Sequence, residues 1–223
     1  MASLITGLSE QRIRDNLERA RGEIARAAPL AGRRAEEVEI LAAVKYVATE
    51  ELPVLARAGI ELVGENRSDA LREKTHVHGD LFAWDFIGTL QSRRVREIVP
   101  HVRLIHSLAS ESALRELGRH AASARPGLEA LLQVNVAGEP GKAGVVPDEV
   151  GRFLEASPVP ITGLMTMPPL AVAAEDSRRW FAQLRSLADH HGLERLSMGT
   201  SQDFTVAVEE GATIVRIGTN LYR

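Results

Sequence analysis

At 223 residues the chain is long enough for one large hydrophobic core, and its length does not force two domains. Its 44% hydrophobic and 26% charged residues are the balance of an ordinary soluble globular protein, and a net charge of -3 argues against non-specific nucleic-acid binding. With no cysteine in the chain, disulfides, thiolate catalysis and thiolate metal sites are excluded.

The opening "MASLITGLSEQRIRDNL" lacks a basic region followed by an apolar core, so no signal peptide is expected. No apolar run approaches the roughly 20 residues that span a bilayer. A cytoplasmic protein with no membrane partner is the expectation. From Ser9 to Ala28, Ile13, Leu17 and Ile24 recur at near-helical spacing and predict an amphipathic helix.

From there the chain alternates. Strand-like runs are "VEILAAV", "IELVG", "AWDFIG", "RLIHSL", "LEALLQVNV", "VPITGLMTM", "LERLSMG" and "TIVRIGT". Helical segments between them are "TEELPVLARAG", "SDALREK", "LQSRRVREIV", "SESALRELGRHAASA", "PDEVGRFLEAS", "EDSRRWFAQLRSLADHH" and "QDFTVAVEEG", and the N-terminal helix can supply the eighth. Thr49 and Ser110 fit N-cap positions, Gly59, Gly192 and Gly211 fit left-handed C-terminal positions, and Pro147 with Asp148 suits a first helical turn. Strict alternation demands parallel strands with right-handed crossovers. The predicted fold is a single α/β domain over residues 1–223, a closed (β/α)8 TIM barrel with an N-terminal helix.

In such a barrel the reactive groups gather at the C-terminal ends of the strands. Read in order, those ends are Lys45, Gly64-Glu65-Asn66, Gly88, Ser107, Asn135, Met167, Gly199 and Gly218-Thr219. A metal hydrolase would show acids and histidines here. This rim instead suits an anion and a carbonyl partner for Lys45. A lysine at a strand end ordinarily turns to water. The alternative is an amine held at the mouth of a core, where burial disfavours the ammonium whose free pKa is about 10.4. Three turns suit a phosphate: "SMGTSQD", with hydroxyls at Thr200 and Ser201, "RIGT" after the eighth strand, and "GEN" after the second.

The ordered set "AAVK", "GEN", "FIGTLQS", "HSL", "LLQVNVAGEPGKAG", "GLMTMPP", "LSMGTSQDF" and "VRIGT" resembles the pyridoxal-phosphate-binding homeostasis proteins, single-barrel relatives of alanine racemase, from about Ile40 to Thr219. The resemblance implies a fold-type III pyridoxal 5'-phosphate (PLP) protein without the C-terminal β domain. It implies that Lys45 forms the internal aldimine and that Ser201, Gly218 and Thr219 hold the phosphate. Arg216 would face the pyridine nitrogen and Asn66 would lie beside the ring. Ser107, Met167 and Gly199, at the ends of the fourth, sixth and seventh strands, complete the expected cofactor contacts.

The sequence departs from the family pattern at Val44, where serine is common, at Arg67, where an aromatic is usual, and at Thr205, where glutamate is usual. "WDFIGTLQSRR" stands where "WHFIGPLQSNK" would be typical, which changes Asp85, Thr89, Arg93 and Arg94.

Guanidinium only donates, so Arg216 would leave the pyridine nitrogen unprotonated and a weaker electron sink. Racemases add a second base from a C-terminal domain, and with Thr219 four residues before Arg223 no such domain is expected here. The expectation is a carrier or regulator of PLP, monomeric or weakly dimeric, that supplies apo-enzymes. The alternatives are a small PLP-dependent amino-acid racemase and a sugar-phosphate barrel enzyme.

Other features have ordinary readings. His76 and His78 are expected in a solvated loop, and Arg93, Arg94 and Arg96 on a solvated helix face. Lys142 is read as a loop lysine, the alternative being a lysine that gates the pocket. Met165, Met167 and Met198 are read as packing the barrel or lining the pocket, and Trp180, Phe181 and Leu184 as the buried side of a helix.

Overall fold

The structure, a computed structural model, describes residues 4–222. Eight strands, β1 (Glu39–Ala43), β2 (Leu62–Glu65), β3 (Ala83–Phe86), β4 (Leu104–Leu108), β5 (Glu129–Gln133), β6 (Ile161–Met165), β7 (Arg195–Thr200) and β8 (Ile214–Ile217), form one closed parallel barrel in sequence order. Closure runs from Glu39 opposite Ile214 to Ala42 opposite Ile217. Each strand-like run marks one strand, with β2 and β7 each extending one residue beyond it, because a parallel sheet covered on both faces selects near-continuous apolar runs.

Helices α1 (Glu10–Ala27), α2 (Leu52–Arg57), α3 (Ser68–His78), α4 (Val95–Ile98), α5 (Glu111–Arg119), α6 (Val150–Ala156), α7 (Arg178–His190), α8 (Phe204–Glu209) and α9 (Thr219–Tyr222) cover the barrel. The N-terminal helix α1 packs against α2, α8 and α9, where the eighth covering helix of the barrel belongs. Its buried Ile13, Leu17 and Ile24 are the residues whose spacing predicts it.

The period of two along each strand separates two cores. Outward residues such as Val63, Trp84, Ile105, Leu132 and Val215 join the helices in one large cluster. Inward residues Leu41, Leu62, Leu104, Leu131, Met165 and Ile214 form a small separate one inside the barrel. Asp85, His106, Ser197 and Arg216 alternate with outward apolar neighbours, so they also point inward, and all are buried.

Local chemistry mostly follows the residues. Ser110 caps α5 and accepts from Ala113 N at 3.2 Å, and Gly59, Gly192 and Gly211 adopt φ of 91, 65 and 96° after their helices. Thr49 departs from expectation. It lies inside a short 3-10 turn, and its hydroxyl donates to Glu73 Oε1 at 2.6 Å instead of capping. His76 and His78 occupy the last turn of α3, not a loop, and no metal-binding cluster of three such groups occurs among the described residues. Trp180 is only half-buried, its ring covered by the Arg179 guanidinium at 4.3 Å, while Phe181 and Leu184 are buried as expected. No helix among the described residues is long and apolar enough to cross a membrane.

Candidate cofactor site at the C-terminal mouth

A cavity of about 380 Å³ opens at the C-terminal ends of the strands. Lys45, Asn66, Met167, Ser201, Arg216, Gly218 and Thr219 all line it. Ser107 and Gly199 do not. A larger cleft of about 700 Å³ lies at the opposite ends of β1 and β2, lined by Arg21, Glu36 and Glu61. That is the barrel face that carries stability, not chemistry.

Lys45 stands in a turn two residues beyond β1 and is half-buried, so the apolar run desolvates it only in part. Its ammonium lies 5.1 Å from the centre of the Tyr46 ring. Lys45 makes no ion pair among the described residues. The nearby acid is claimed by a different lysine. Buried Lys74 pairs with buried Glu65 at 2.6 Å and donates to the Val44 carbonyl at 2.6 Å. The second oxygen of Glu65 accepts from Asn66 N at 2.7 Å and Arg67 N at 3.2 Å. The Tyr222 hydroxyl donates to the Ala43 carbonyl at 3.1 Å. The two carbonyls that precede Lys45, at a strand end where ladder partners run out, are thus both bound. One buried carboxylate couples that turn to the "GEN" turn of β2.

The expected phosphate end is similarly built. Asp203 accepts from Thr200 N at 2.7 Å and Thr200 Oγ1 at 3.1 Å, and its other oxygen accepts from Ser177 at 2.8 Å. The Thr200 hydroxyl is therefore committed to the loop. Ser201 Oγ accepts from Gly218 N at 3.1 Å, which leaves its proton available to the cavity. This contact joins the loop after β7 to the loop after β8.

The residues outside the cavity act from behind it. Gly199 has φ of 88°, and a Cβ there would sit 2.5 Å from Ala207 Cβ, so it seats the β7 turn on α8. Buried Ser107 donates to the Gly88 carbonyl. A Cβ on Gly88 would lie 1.9 Å from Asn66 O. Ser107 and Gly88 together hold the strand ends against which Asn66 rests.

Arg216 is buried and makes no ion pair among the described residues. Nη1 donates to Ser197 Oγ at 2.6 Å, and Nη2 donates to Thr166 O at 3.0 Å and meets Met167 Sδ at 3.0 Å. Burial brings its pKa down to about 10, an effect that Asp203 partly opposes, so the group stays cationic at neutral pH. Burial, and then the Glu65 carboxylate, push the Tyr222 phenol above its usual range.

Of the methionines, Met165 and Met198 are buried in the barrel and Met167 lines the cavity. Lys142 pairs with Glu139 in its loop, and Arg94 with Glu97 on its exposed face.

Sequence reading did not single out Ile5, Tyr46, Ile87 or Tyr222 as lining residues. Ile5 arrives from the N-terminal segment, where its amide donates to Tyr46 O at 2.6 Å, a pairing that no local pattern announces. Asp85 and His106 did carry a signal, since each is an ionisable residue within a largely apolar buried run.

Residues 9–223 match the family described as alanine racemase, N-terminal domain. A protein of Aquifex aeolicus named pyridoxal phosphate homeostasis protein is 38% identical over 219 residues, covering 93% of this chain and 96% of its own. One of that name from Pseudomonas aeruginosa is 34% identical, with 94% of each chain covered. Among solved structures, PipY of Synechococcus elongatus with PLP bound is similar at 32% identity and a TM-score of 0.75, covering 90% of this chain and 100% of its own. Alanine racemase of Corynebacterium glutamicum, at 20% identity and a TM-score of 0.64, shares the fold. The chain belongs to the pyridoxal phosphate homeostasis protein family, built on the barrel that alanine racemases carry as their N-terminal domain.

Proposed function

We propose that this cavity binds PLP covalently through the Lys45 amine, and that the protein serves cofactor homeostasis or delivery to apo-enzymes without efficient turnover. One observation carries the reading. Lys45 and the joined Ser201–Gly218–Thr219 turns line a single cavity of about 380 Å³, with the buried cation of Arg216 also in its wall. The size lies within the usual range for small-ligand sites. The residues fit the group: an amine for the aldehyde, hydroxyls and backbone N–H groups for the phosphate, and Ile87 and Met167 as apolar contacts for a ring.

Bound PLP supplies a ring that draws electrons from the α carbon of an amino acid. Arg216, if it faced the ring nitrogen, would weaken that effect, because a guanidinium only donates and would not give up its proton at neutral pH. Tyr222 is a poor base, since its phenol is bound to Ala43 and its pKa is raised. Both features favour holding the cofactor over using it.

The phosphate turns give the test. Hydrogen bonds to charged groups are worth about 1.5–3 kcal/mol, so Ser201→Ala and Thr219→Val each lower PLP affinity roughly tenfold or more. Absorbance titration with PLP and with pyridoxal, which lacks the phosphate, reads this. The variants should lose discrimination between the two ligands. Equal affinity of the parent protein for both ligands would show that these turns serve another purpose.

A further inference from the structure

A line of buried polar groups runs through the barrel behind Arg216. At the N-terminal end, Arg103 donates to Glu39 at 2.7 Å and to both oxygens of Asp85, at 2.9 and 3.2 Å. The second oxygen of Asp85 lies 3.0 Å from His106 Nε2. His106 Nδ1 lies 2.8 Å from Ser197 Oγ, which accepts from Arg216 Nη1 at 2.6 Å. Asp85, His106 and Ser197 are each 0% exposed, so bulk solvent reaches none of these partners.

Donor and acceptor chemistry gives this line one direction. Asp85, held by Arg103, is a carboxylate and only accepts, so His106 Nε2 carries a proton and donates to it. Burial, aided by the charges of Arg216 and Arg103, keeps the His106 pKa below its usual value although Asp85 opposes this. In the neutral ring Nδ1 accepts, and among the described residues the donor facing it is the Ser197 hydroxyl. With its proton directed to His106, the Ser197 oxygen presents its lone pairs to Arg216, which only donates. Every group in the line is satisfied in this arrangement alone.

We propose that Asp85, His106 and Ser197 are positioning residues for Arg216, fixing its guanidinium as an oriented donor toward the ring of the bound cofactor. The proposal rests on the reading that this cavity takes PLP. It makes Asp85, a departure from the family pattern, the anchor of a device that reaches the site from the far end of the barrel. Arg216 pairs with no carboxylate among the described residues, so its direction depends on the Ser197 oxygen, the Thr166 carbonyl and the Met167 sulfur.

The test uses Ser197→Ala, which removes one oxygen and no charge, and His106→Leu, which breaks the line one step further away. Without cofactor, the 15N–1H signal of Arg216 Nε should be sharp in the parent protein and broadened in both variants, more so in Ser197→Ala. With PLP labelled at the ring nitrogen, its 15N resonance should move toward the position measured in Arg216→Met. Ser197→Ala should cover most of that distance and His106→Leu less. A purely structural role would lower the melting temperature without moving either resonance. Arginine and ring-nitrogen signals that coincide with the parent's in both variants would overturn the proposal. If the parent protein fails to bind PLP, the functional reading falls, while the arginine signal still decides whether the line fixes Arg216.

Discussion

Lys45→Ala is expected to abolish covalent retention of PLP while leaving the melting temperature within about 2 °C of the parent. The side chain is half-buried, joins no ion pair among the described residues and belongs to neither core cluster. A substitution of that kind changes stability by roughly 0.5 kcal/mol or less, which is about 1–2 °C for a domain of this size. Reversible affinity should survive in part, because the Ser201, Gly218 and Thr219 contacts remain. Gel filtration of the loaded protein followed by absorbance measures retention, and thermal denaturation measures the fold. Retention that persists through gel filtration would move the covalent role to another residue.

Lys74→Met has the opposite profile, with the largest effect on stability. The Lys74–Glu65 pair is sealed, with the side chains only 5% and 0% exposed. Removing one member of such a pair leaves a buried charge without its partner and costs about 3–5 kcal/mol, or roughly 10 °C in melting temperature. Adding Glu65→Gln to Lys74→Met removes the orphaned charge and should restore a large part of that loss. Lys74→Met should also slow PLP capture, because the Val44 carbonyl loses its donor and the Lys45 turn loses an anchor. Thermal denaturation of both variants checks the first claim. A loss under about 1 kcal/mol in Lys74→Met would show that the pair does not hold this corner of the barrel.

These two lysines illustrate what the sequence could and could not disclose. The barrel was legible because eight apolar runs alternate with seven helical segments, and several of those segments carry their own boundary residues. Lys45 was legible because a charge follows "ILAAV" directly, where a strand must end. The Lys74–Glu65 pair was not, because its members lie on α3 and β2 and nothing local states that they meet inside. The placement of Ser107 and Gly199 behind the cavity was hidden for a related reason. Strand ends can be read from sequence, but whether a small residue there faces a ligand or seats a neighbouring turn depends on the twist of the closed barrel. The final helical turn, α9, was missed because "TNLY" is too short to show a period, and it delivers Tyr222 to Ala43. Asp85 and His106 were visible as polar residues within apolar runs. That they form one line to Arg216 follows only from the inward alternation of β3, β4, β7 and β8.

The central claim is that the amine at the end of β1 carries the cofactor. Borohydride reduction of the PLP-loaded protein, followed by proteolysis and peptide mass mapping, tests it directly. One reduced phosphopyridoxyl group per chain is expected, on the peptide that contains Lys45, and none in Lys45→Ala. Label found instead on Lys74 or Lys142, or label that persists in Lys45→Ala, would contradict it.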